Sequence, residues 1–335
     1  MKDTAAAVLV CAVEGRELSP AERQFFQTVA VSGVTLFGRN IDQDNHSDVR
    51  LLVNDLQRLR PPSTPDLVIA IDQEGGRVAR LKAPFPNRGP AMSLARDLAD
   101  QDAQKVIRTY GSEVGFALSR LGINVNFAPV VDVLSEPDNQ AIGDRAFGTD
   151  ARSVILRGEA YLDGLQSTGV KGCLKHFPGQ GDAKVDTHIG TAVVKAPLPV
   201  LEERELAPFR ALLHKSPMVM IAHCIYPALA PEEASRSPVI MQGLLRNRLQ
   251  YKGVIVSDDM TMGAIPQDEK AWQAVLVEAI HAGADMLLVC RHLDRFRLAY
   301  EALAREAQVS VSFGRRLTEA ANRVVSLRKT LPSCL

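Results

Sequence analysis

The sequence has no excess of charge of either sign. Its 335 residues carry 39 basic and 39 acidic side chains, which gives a formal net charge of +0. Proteins that bind nucleic acids or anionic membranes usually present a basic excess, and a membrane-spanning helix needs a longer apolar stretch than this sequence contains. We therefore expect neither kind of partner. The composition, 46% hydrophobic and 23% charged, is typical of a soluble globular protein with a full core.

Cysteines are few, and their number and spacing do not suggest pairs. The five cysteines are odd in number, and none lies in a C-x-x-C pair. Cys173, Cys224 and Cys290 lie in apolar runs, which predicts buried thiols in a reducing compartment. The apolar run 5–13 has acidic residues on both sides and no small-residue cleavage site, so it favours a first β-strand over a secretion signal. We expect a cytoplasmic protein.

Several catalytic signatures are also missing. The sequence contains no G-x-x-x-x-G-K phosphate loop, no G-x-S-x-G elbow and no H-x-x-x-H array. A metallohydrolase stays open as an alternative, because His176, Asp182, Asp186 and His188 include metal-ligand types. That alternative predicts loss of activity with a chelator, whereas we expect no metal and no other cofactor.

Apolar runs alternate with helical patterns along the whole chain. Buried strands separated by helices predict a parallel sheet that is covered on both faces, and about eight such units indicate a TIM-type (β/α)8 barrel. A doubly wound sheet is the competing α/β architecture. We find no linker or repeat, so we expect one catalytic domain over residues 1–335. The predicted strands are residues 5–13, 33–37, 67–71, 124–128, the segment around Cys173, 218–222, 254–256 and 285–289. The predicted helices begin after a Ser19-Pro20 capping box and after Asp150, and cover 47–59, two patterns within 92–121, 201–213 and the region from 312 onward.

Residues 171–188, KGCLKHFPGQGDAKVDTH, are the least ordinary stretch of the chain. A short apolar strand changes within two residues into a loop that is dense in ionisable side chains. Pro178, Gly179 and Gly181 indicate that this loop is tightly folded. Desolvating so many charges is costly unless they face a polar site. The stretch therefore favours the chemical centre of an enzyme over a solvated connecting loop.

This loop carries an acid–imidazole pair, Asp186 and His188. A nearby carboxylate favours the protonated ring and fixes its tautomer, which suits acid/base catalysis near neutral pH. A loop salt bridge is the structural alternative. Lysine is seldom buried for packing alone, so Lys175 also indicates function. His176 is either a ligand-contacting group or a hydrogen-bonded core histidine.

Two carboxylates, Asp258 and Asp259, follow the buried strand 254–256. Because such a position is poorly solvated, each charge needs a purpose or a partner. The functional interpretation is a nucleophile or an electrostatic stabiliser of a cationic transition state. The structural interpretation is a helix N-cap, for which aspartate is well suited, and it fits Asp259 better than Asp258.

Residues 72–80, DQEGGRVAR, follow the third predicted strand. Carboxylates such as Asp72 hydrogen-bond sugar hydroxyls well, and a guanidinium such as that of Arg80 binds carbonyls or carboxylates. A structural ion pair between neighbours is the alternative. Arg145 is a weaker signal by itself, since one arginine in a polar loop usually faces solvent.

Together, these motifs resemble glycoside hydrolase family 3, and most closely its bacterial β-N-acetylhexosaminidase branch. They occur in the family's order and cover the third to the seventh predicted strand. One position departs from the family pattern, which usually has histidine where Gln180 stands. The matching segments are residues 72–77 (DQEGGR), 142–148 (IGDRAFG), 175–182 (KHFPGQGD), 186–188 (DTH) and 256–260 (VSDDM).

The resemblance implies a TIM-like barrel without a metal. It also implies cleavage of GlcNAc from the non-reducing end of 1,6-anhydro-muropeptides, in cytoplasmic peptidoglycan recycling, and we expect a monomer. By resemblance, Asp258 is the nucleophile of a retaining mechanism and His188 is the acid/base, supported by Asp186. The sugar-binding residues that the resemblance implies are Asp72, Arg80, Arg145, Lys175 and His176.

Other functions stay open at this point. Asp258 and Asp259 could instead serve substrate-assisted hydrolysis, with one carboxylate orienting the acetamide. A histidine acid/base repels phosphate less than a carboxylate does, which leaves phosphorolysis as a variant, and a β-glucosidase of the same family is another. A sugar-binding barrel without turnover would need neither Asp258 nor His188.

Overall fold

The computed structural model describes residues 2–94, 96–185 and 190–332. Eight parallel strands, which we number β1–β8 along the chain, form a closed barrel in which each strand pairs with the next and β1 pairs with β8. The predicted (β/α)8 fold is confirmed, and the doubly wound alternative is wrong. The strands are β1 Leu9–Cys11, β2 Gly33–Leu36, β3 Val68–Ile71, β4 Val125–Asn126, β5 Lys171–Phe177, β6 Met218–Ile221, β7 Val254–Asp259 and β8 Met286–Val289.

Helices cover the outside of the barrel. Their starts follow local capping chemistry: Ser19 forms a capping box with Glu22, and Asp150 accepts the N–H of Ser153, so orphan N–H groups of the first turn are satisfied. Both starts and the helix Ser47–Leu59 agree with the sequence prediction. The other α-helices are Lys2–Ala6, Asp100–Arg120, Leu198–Val200, Leu206–Leu212, Glu269–Ala282, Leu293–Val309 and Val311–Arg328, with π-helices at Leu201–Glu205 and Val239–Arg248.

Two predicted elements differ from the structure. The run 5–13 is predicted as one strand, but its first two residues belong to the helix Lys2–Ala6. Only Leu9–Cys11 pairs in the sheet. An apolar run that is buried on all sides does not reveal its period, so helix and strand look alike there. Two helical patterns were predicted within 92–121, where the described residues form a 3-10 turn, Ala91–Ser93, and one long helix, Asp100–Arg120.

Alternate residues of each strand face the barrel interior, where a buried cluster includes Val68, Cys173 and Val256. Successive side chains of a strand point to opposite faces, so the residues between them pack against the helices. Small elements extend the carboxyl-terminal end of the barrel. A hairpin joins Gln73–Gly75 to Val78–Ala79, and a three-stranded sheet joins Ala192–Val193, Cys224–Tyr226 and Ala230–Glu233.

The described residues contain no helix that is long and apolar enough to cross a membrane. The thiols of Cys173, Cys224 and Cys290 are buried, as the sequence predicted.

Candidate active site

A buried network of four charged side chains lies at the carboxyl ends of β3 and β5. The Nζ atom of Lys175 lies 2.8 Å from Asp72 Oδ1 and 2.6 Å from Glu74 Oε1. The Arg145 guanidinium binds Glu74 through two parallel hydrogen bonds of 2.8 Å each. Two cations therefore balance two anions. The lysine side chain is only 2% exposed. Its burial is tolerable because every charge in the network is paired.

The network holds its members in their charged forms. Burial alone would raise the pKa of Glu74, but Arg145 and Lys175 lower it far below the ordinary range of a glutamate. Burial alone would lower the pKa of Lys175, and Asp72 and Glu74 raise it instead. Opposite charges thus outweigh desolvation at both positions. Glu74 lies within the segment 72–77 that carries the family resemblance, but nothing in the sequence distinguished it from its neighbours.

The predicted sugar-binding arginines have different surroundings. Arg145 already donates from three nitrogen atoms, two to Glu74 and one to the carbonyl of Ala141, so two of its five N–H groups remain for other acceptors. Arg80 is half-buried, and its Nη2 atom lies 3.5 Å from Asp72 Oδ2. Its guanidinium also lies over the ring of Phe37, which holds it beside the network.

His176 is held from behind by Asp132, a carboxylate that the sequence analysis passed over. Asp132 is fully buried, and its Oδ2 atom lies 2.8 Å from His176 Nδ1. It also accepts the backbone N–H groups of His176 and Gln180. A carboxylate accepts hydrogen bonds, so Nδ1 carries a proton and Nε2 is the atom available to a ligand. Asp132 follows Val130, which extends the line of β4 by pairing with Lys175, and its place near a strand end was the signal that could have identified it.

Asp258 and Asp259 have opposite environments. Asp258 lies near Lys175, His176 and His223 at the barrel mouth, and a register shift between Val256 and Asp259 interrupts the regular alternation of side chains there. The carboxylate of Asp259 accepts the N–H and hydroxyl groups of Thr261 and lies 3.2 Å from Cys290 N. Asp259 is therefore occupied locally by Thr261 in a turn. The predicted helix N-cap is wrong for Asp259, because the next helix begins at Glu269 with Asp268 as its N-cap. Asp258 accepts the N–H of Asp259 at 2.8 Å.

The pKa values of these two carboxylates shift in opposite directions. Burial would raise that of Asp258, but His176 and His223, with the Asp259 N–H and Lys175, lower it below its ordinary value. Burial raises the pKa of Asp259, against the effect of its hydrogen bonds. Asp258 is thus an ionised carboxylate beside the Lys175 network.

His223, at the end of β6, supports this arrangement. Its ring is fully buried, and burial lowers its pKa, which favours the neutral form. Its Nε2 atom lies 3.2 Å from the carbonyl oxygen of Asp259, so Nε2 carries the proton and Nδ1 accepts the hydroxyl of Ser235 at 2.8 Å. The ring therefore fixes the backbone that carries both carboxylates. His223 directly follows the sixth predicted strand, and no function was predicted for it.

The predicted acid/base pair, Asp186 and His188, lies outside the described residues. The residues that lead into this loop, including Gly181 and Asp182, are described. A Cβ atom on Gly181 would lie 1.7 Å from the carbonyl oxygen of Val133, so only glycine fits there. Arg204 pairs with Asp182 at 3.1 Å.

Gln180, the departure from the family pattern, is buried. The thiol of Cys224 lies 3.4 Å from its Oε1 atom, and Asn139 donates to its backbone carbonyl at 2.8 Å. The site residues among the described parts of the chain include no group of three or more His, Cys, Asp or Glu side chains arranged to hold a metal.

Comparison with known proteins decides the family. The model of the glycosyl hydrolase family 3 N-terminal domain matches residues 7–327. The chain belongs to glycosyl hydrolase family 3. A β-hexosaminidase of Xanthomonas oryzae pv. oryzae is 35% identical to this family 3 glycoside hydrolase over 318 residues, which are 94% of this chain and 90% of the relative.

Solved structures of family 3 proteins resemble the chain as well. A β-N-acetylglucosaminidase from Paenibacillus sp. superimposes with a TM-score of 0.91 at 33% identity, over 98% of this chain, which spans 62% of that protein. NagZ from Neisseria gonorrhoeae, in complex with N-trifluoroacetyl-D-glucosamine, has a TM-score of 0.76 at 28% identity, over 95% of this chain and 98% of that one. The resemblance inferred from the motifs is confirmed.

Replacing Asp132 with asparagine should lower the free energy of unfolding by about 2 kcal/mol, because three buried donors lose a charged acceptor. It should also raise KM more than it lowers kcat, since the His176 ring loses the partner that fixes its tautomer. Urea denaturation and steady-state kinetics measure the two effects. Asp138→Asn changes an exposed carboxylate of the same loop and should do neither. Equal stability of the two variants would contradict the positioning role.

Proposed function

We propose that this chain is an exo-acting β-N-acetylhexosaminidase that removes non-reducing terminal GlcNAc and retains the anomeric configuration. The observation that carries this proposal is Asp258, an ionised carboxylate at the barrel mouth, beside Lys175 and His176. The names of the β-hexosaminidase relative and the N-acetylglucosamine-type ligand of the Neisseria protein support the choice of sugar.

In this proposal Asp258 is the nucleophile. Its oxygen attacks the anomeric carbon and forms a glycosyl-enzyme ester, while His188, protonated and supported by Asp186, donates its proton to the leaving oxygen. The neutral ring of His188 then takes a proton from water as that water attacks the anomeric carbon, which releases Asp258. Two inversions at one carbon give net retention.

Five residues are proposed to bind the sugar. Asp72 accepts hydrogen bonds from hydroxyl groups, while Lys175 and the Nε2 atom of His176 reach polar atoms of the ring substituents. Arg80 and the two unused N–H groups of Arg145 complete the set. The charges of the site also balance, since Lys175, Arg145 and Arg80 face Asp72, Glu74 and the ionised Asp258. This balance suits a neutral sugar, because no net charge is left for the ligand to neutralise.

Trapping the intermediate tests the mechanism directly. With a fluorinated glycosyl donor, we expect a covalent adduct whose peptide maps to Asp258. Substrate-assisted hydrolysis would give no adduct and strong inhibition by a thiazoline analogue of the acetamide-derived intermediate. Formation of GlcNAc-1-phosphate in phosphate buffer would show that phosphate, and not water, is the acceptor.

Replacing His188 with alanine should slow substrates with poor leaving groups most, because protonation of the leaving oxygen matters least when the aglycone departs easily. We expect a loss of about 10²–10⁴-fold for alkyl aglycones and a much smaller loss for dinitrophenyl aglycones. Steady-state rates across a series of aglycones measure this. Equal losses across the series would contradict the acid role.

We further propose that the natural substrate is GlcNAc-1,6-anhydro-MurNAc, with or without a peptide stem, and that the enzyme serves peptidoglycan recycling in the cytoplasm as a monomer in which residues 1–335 form one catalytic domain. The motif resemblance supports this assignment. Activity on the anhydro-muropeptide beside simple β-glucosides tests it, and a preference for β-glucosides would overturn the choice of sugar.

A further inference from the structure

Three guanidinium groups converge on one buried carboxylate at the amino-terminal end of the barrel, opposite the candidate active site. Asp285, which precedes β8, is fully buried. Its Oδ1 atom accepts Arg316 at 2.8 Å and Arg323 at 3.1 Å. Its Oδ2 atom accepts Arg246 and the N–H of Ile255. Both carboxylate oxygens thus accept two hydrogen bonds each, which uses the full acceptor capacity of the side chain.

This cluster holds more positive charge than its carboxylates neutralise. Glu319 is the second carboxylate, and it pairs with two of the three arginines from a half-exposed position. Lys252 lines the same cavity. Four cations therefore face two carboxylates, which leaves a net charge of +2. Burial lowers the pKa of Arg246, and repulsion from the other two arginines adds to that effect, despite the attraction of Asp285.

The surplus charge faces a concave, polar cavity. The cavity has a volume of about 290 Å³ and is lined by the three arginines, Lys252 and the side-chain amides of Gln242 and Asn247. The Nη1 atom of Arg316 is buried and makes no hydrogen bond within the described residues, although it lies 3.6 Å from Glu319 Oε2 as an ion pair. Asp285 and Glu319 together neutralise two of the four cations, so the cavity keeps a positive potential that an anion would reduce.

We propose that this cavity is a binding site for a small tetrahedral oxyanion of the phosphate class. Such an anion offers several acceptor oxygens to guanidinium and ammonium donors that approach from different sides. Lys252 is exposed, and the Arg323 side chain, although paired with Asp285 and Glu319, is 31% exposed against 13% for Arg246 and Arg316. Lys252 and Arg323 are therefore the most accessible donors.

Binding of inorganic phosphate tests the proposal. Calorimetric titration should give saturable binding, and the melting temperature should rise by about 2 °C at tenfold excess over Kd, with ionic strength held constant by chloride. Lys252→Gln and Arg323→Gln should each weaken binding about tenfold, the loss of one charge-assisted hydrogen bond. Hydrolysis of nitrophenyl β-GlcNAc should be unchanged in both variants, since neither residue lies on the catalytic face.

Two controls make the result decisive. Arg315→Gln removes an exposed cation of the same helix that does not line the cavity, and it should bind phosphate like the unmodified chain. Lys175→Met alters only the candidate active site and should also leave binding intact. The proposal is overturned if chloride stabilises as well as phosphate does, if both cavity variants bind normally, or if Lys175→Met alone abolishes binding.

Discussion

Asp258→Asn should lower kcat/KM by on the order of 10⁴-fold or more while substrate binding is largely kept. The amide has nearly the shape of the carboxylate, but it lacks the charge that attacks the anomeric carbon. It also lacks the charge that His176, His223 and Lys175 stabilise. Hydrolysis of nitrophenyl β-GlcNAc and calorimetric binding of GlcNAc measure the two effects separately.

The neighbouring variant Asp259→Asn is the matched control. Its carboxylate is engaged by Thr261 and by the backbone N–H of Cys290. The substitution should therefore lower stability, with a loss of activity of about tenfold. If Asp259→Asn were the more damaging of the two for kcat, the assignment of the nucleophile to Asp258 would be wrong.

Glu74→Gln should lower the free energy of unfolding by about 3–5 kcal/mol. Removing one partner of a buried ion-pair network leaves an uncompensated charge, and here Arg145 and Lys175 both lose a carboxylate. Activity should fall as well, since Lys175 and Arg145 lose the group that positions them. Urea denaturation measures the stability change.

A surface pair provides the matched control. Arg88 binds Glu113 in the same bidentate geometry as Arg145 binds Glu74, but both side chains of this pair are more than a third exposed. Glu113→Gln should cost less than about 1 kcal/mol, because solvent screens the pair. Comparable losses of unfolding free energy in the two variants would show that the Lys175 network gains no stability from its burial.

The effect of Glu74→Gln should also depend on pH. The folded pKa of Glu74 lies below its ordinary value of 4.5, so its contribution is fully present above pH 4.5 and is lost as the pH falls toward the lowered pKa. The difference in unfolding free energy between the unmodified chain and the variant should be constant from about pH 7 to 5 and should shrink at lower pH. A difference that grew on acidification would contradict the ionised state of Glu74.

Much of the fold was predictable, because buried parallel strands leave a simple signal. The apolar runs that became β3, β6 and β8 begin and end within one residue of their predicted bounds. The start of the chain was not predictable in the same way, since the run that leads into β1 is apolar whether it forms a helix or a strand.

The candidate site was only partly predictable. Asp258 and Lys175 could be singled out from the sequence because each is a charged residue at the end of a buried strand. A charge in such a position requires a function or a structural partner. Asp132 and His223 also follow strands, but their roles were not predicted, because those roles depend on contacts with His176 and Asp259 that are distant in sequence. The roles of Asp186 and His188 remain predictions.

The seam between β1 and β8 has a consequence for biosynthesis. Val10 pairs with Leu288 across it, so a nascent chain must be extended past β8 before the ring of strands can shut. Until then the growing sheet offers two unpaired borders to other chains, and pairing partners so far apart in sequence meet slowly. We expect ribosome-bound fragments that stop short of Met286 to depend on chaperones far more than chains that include β8.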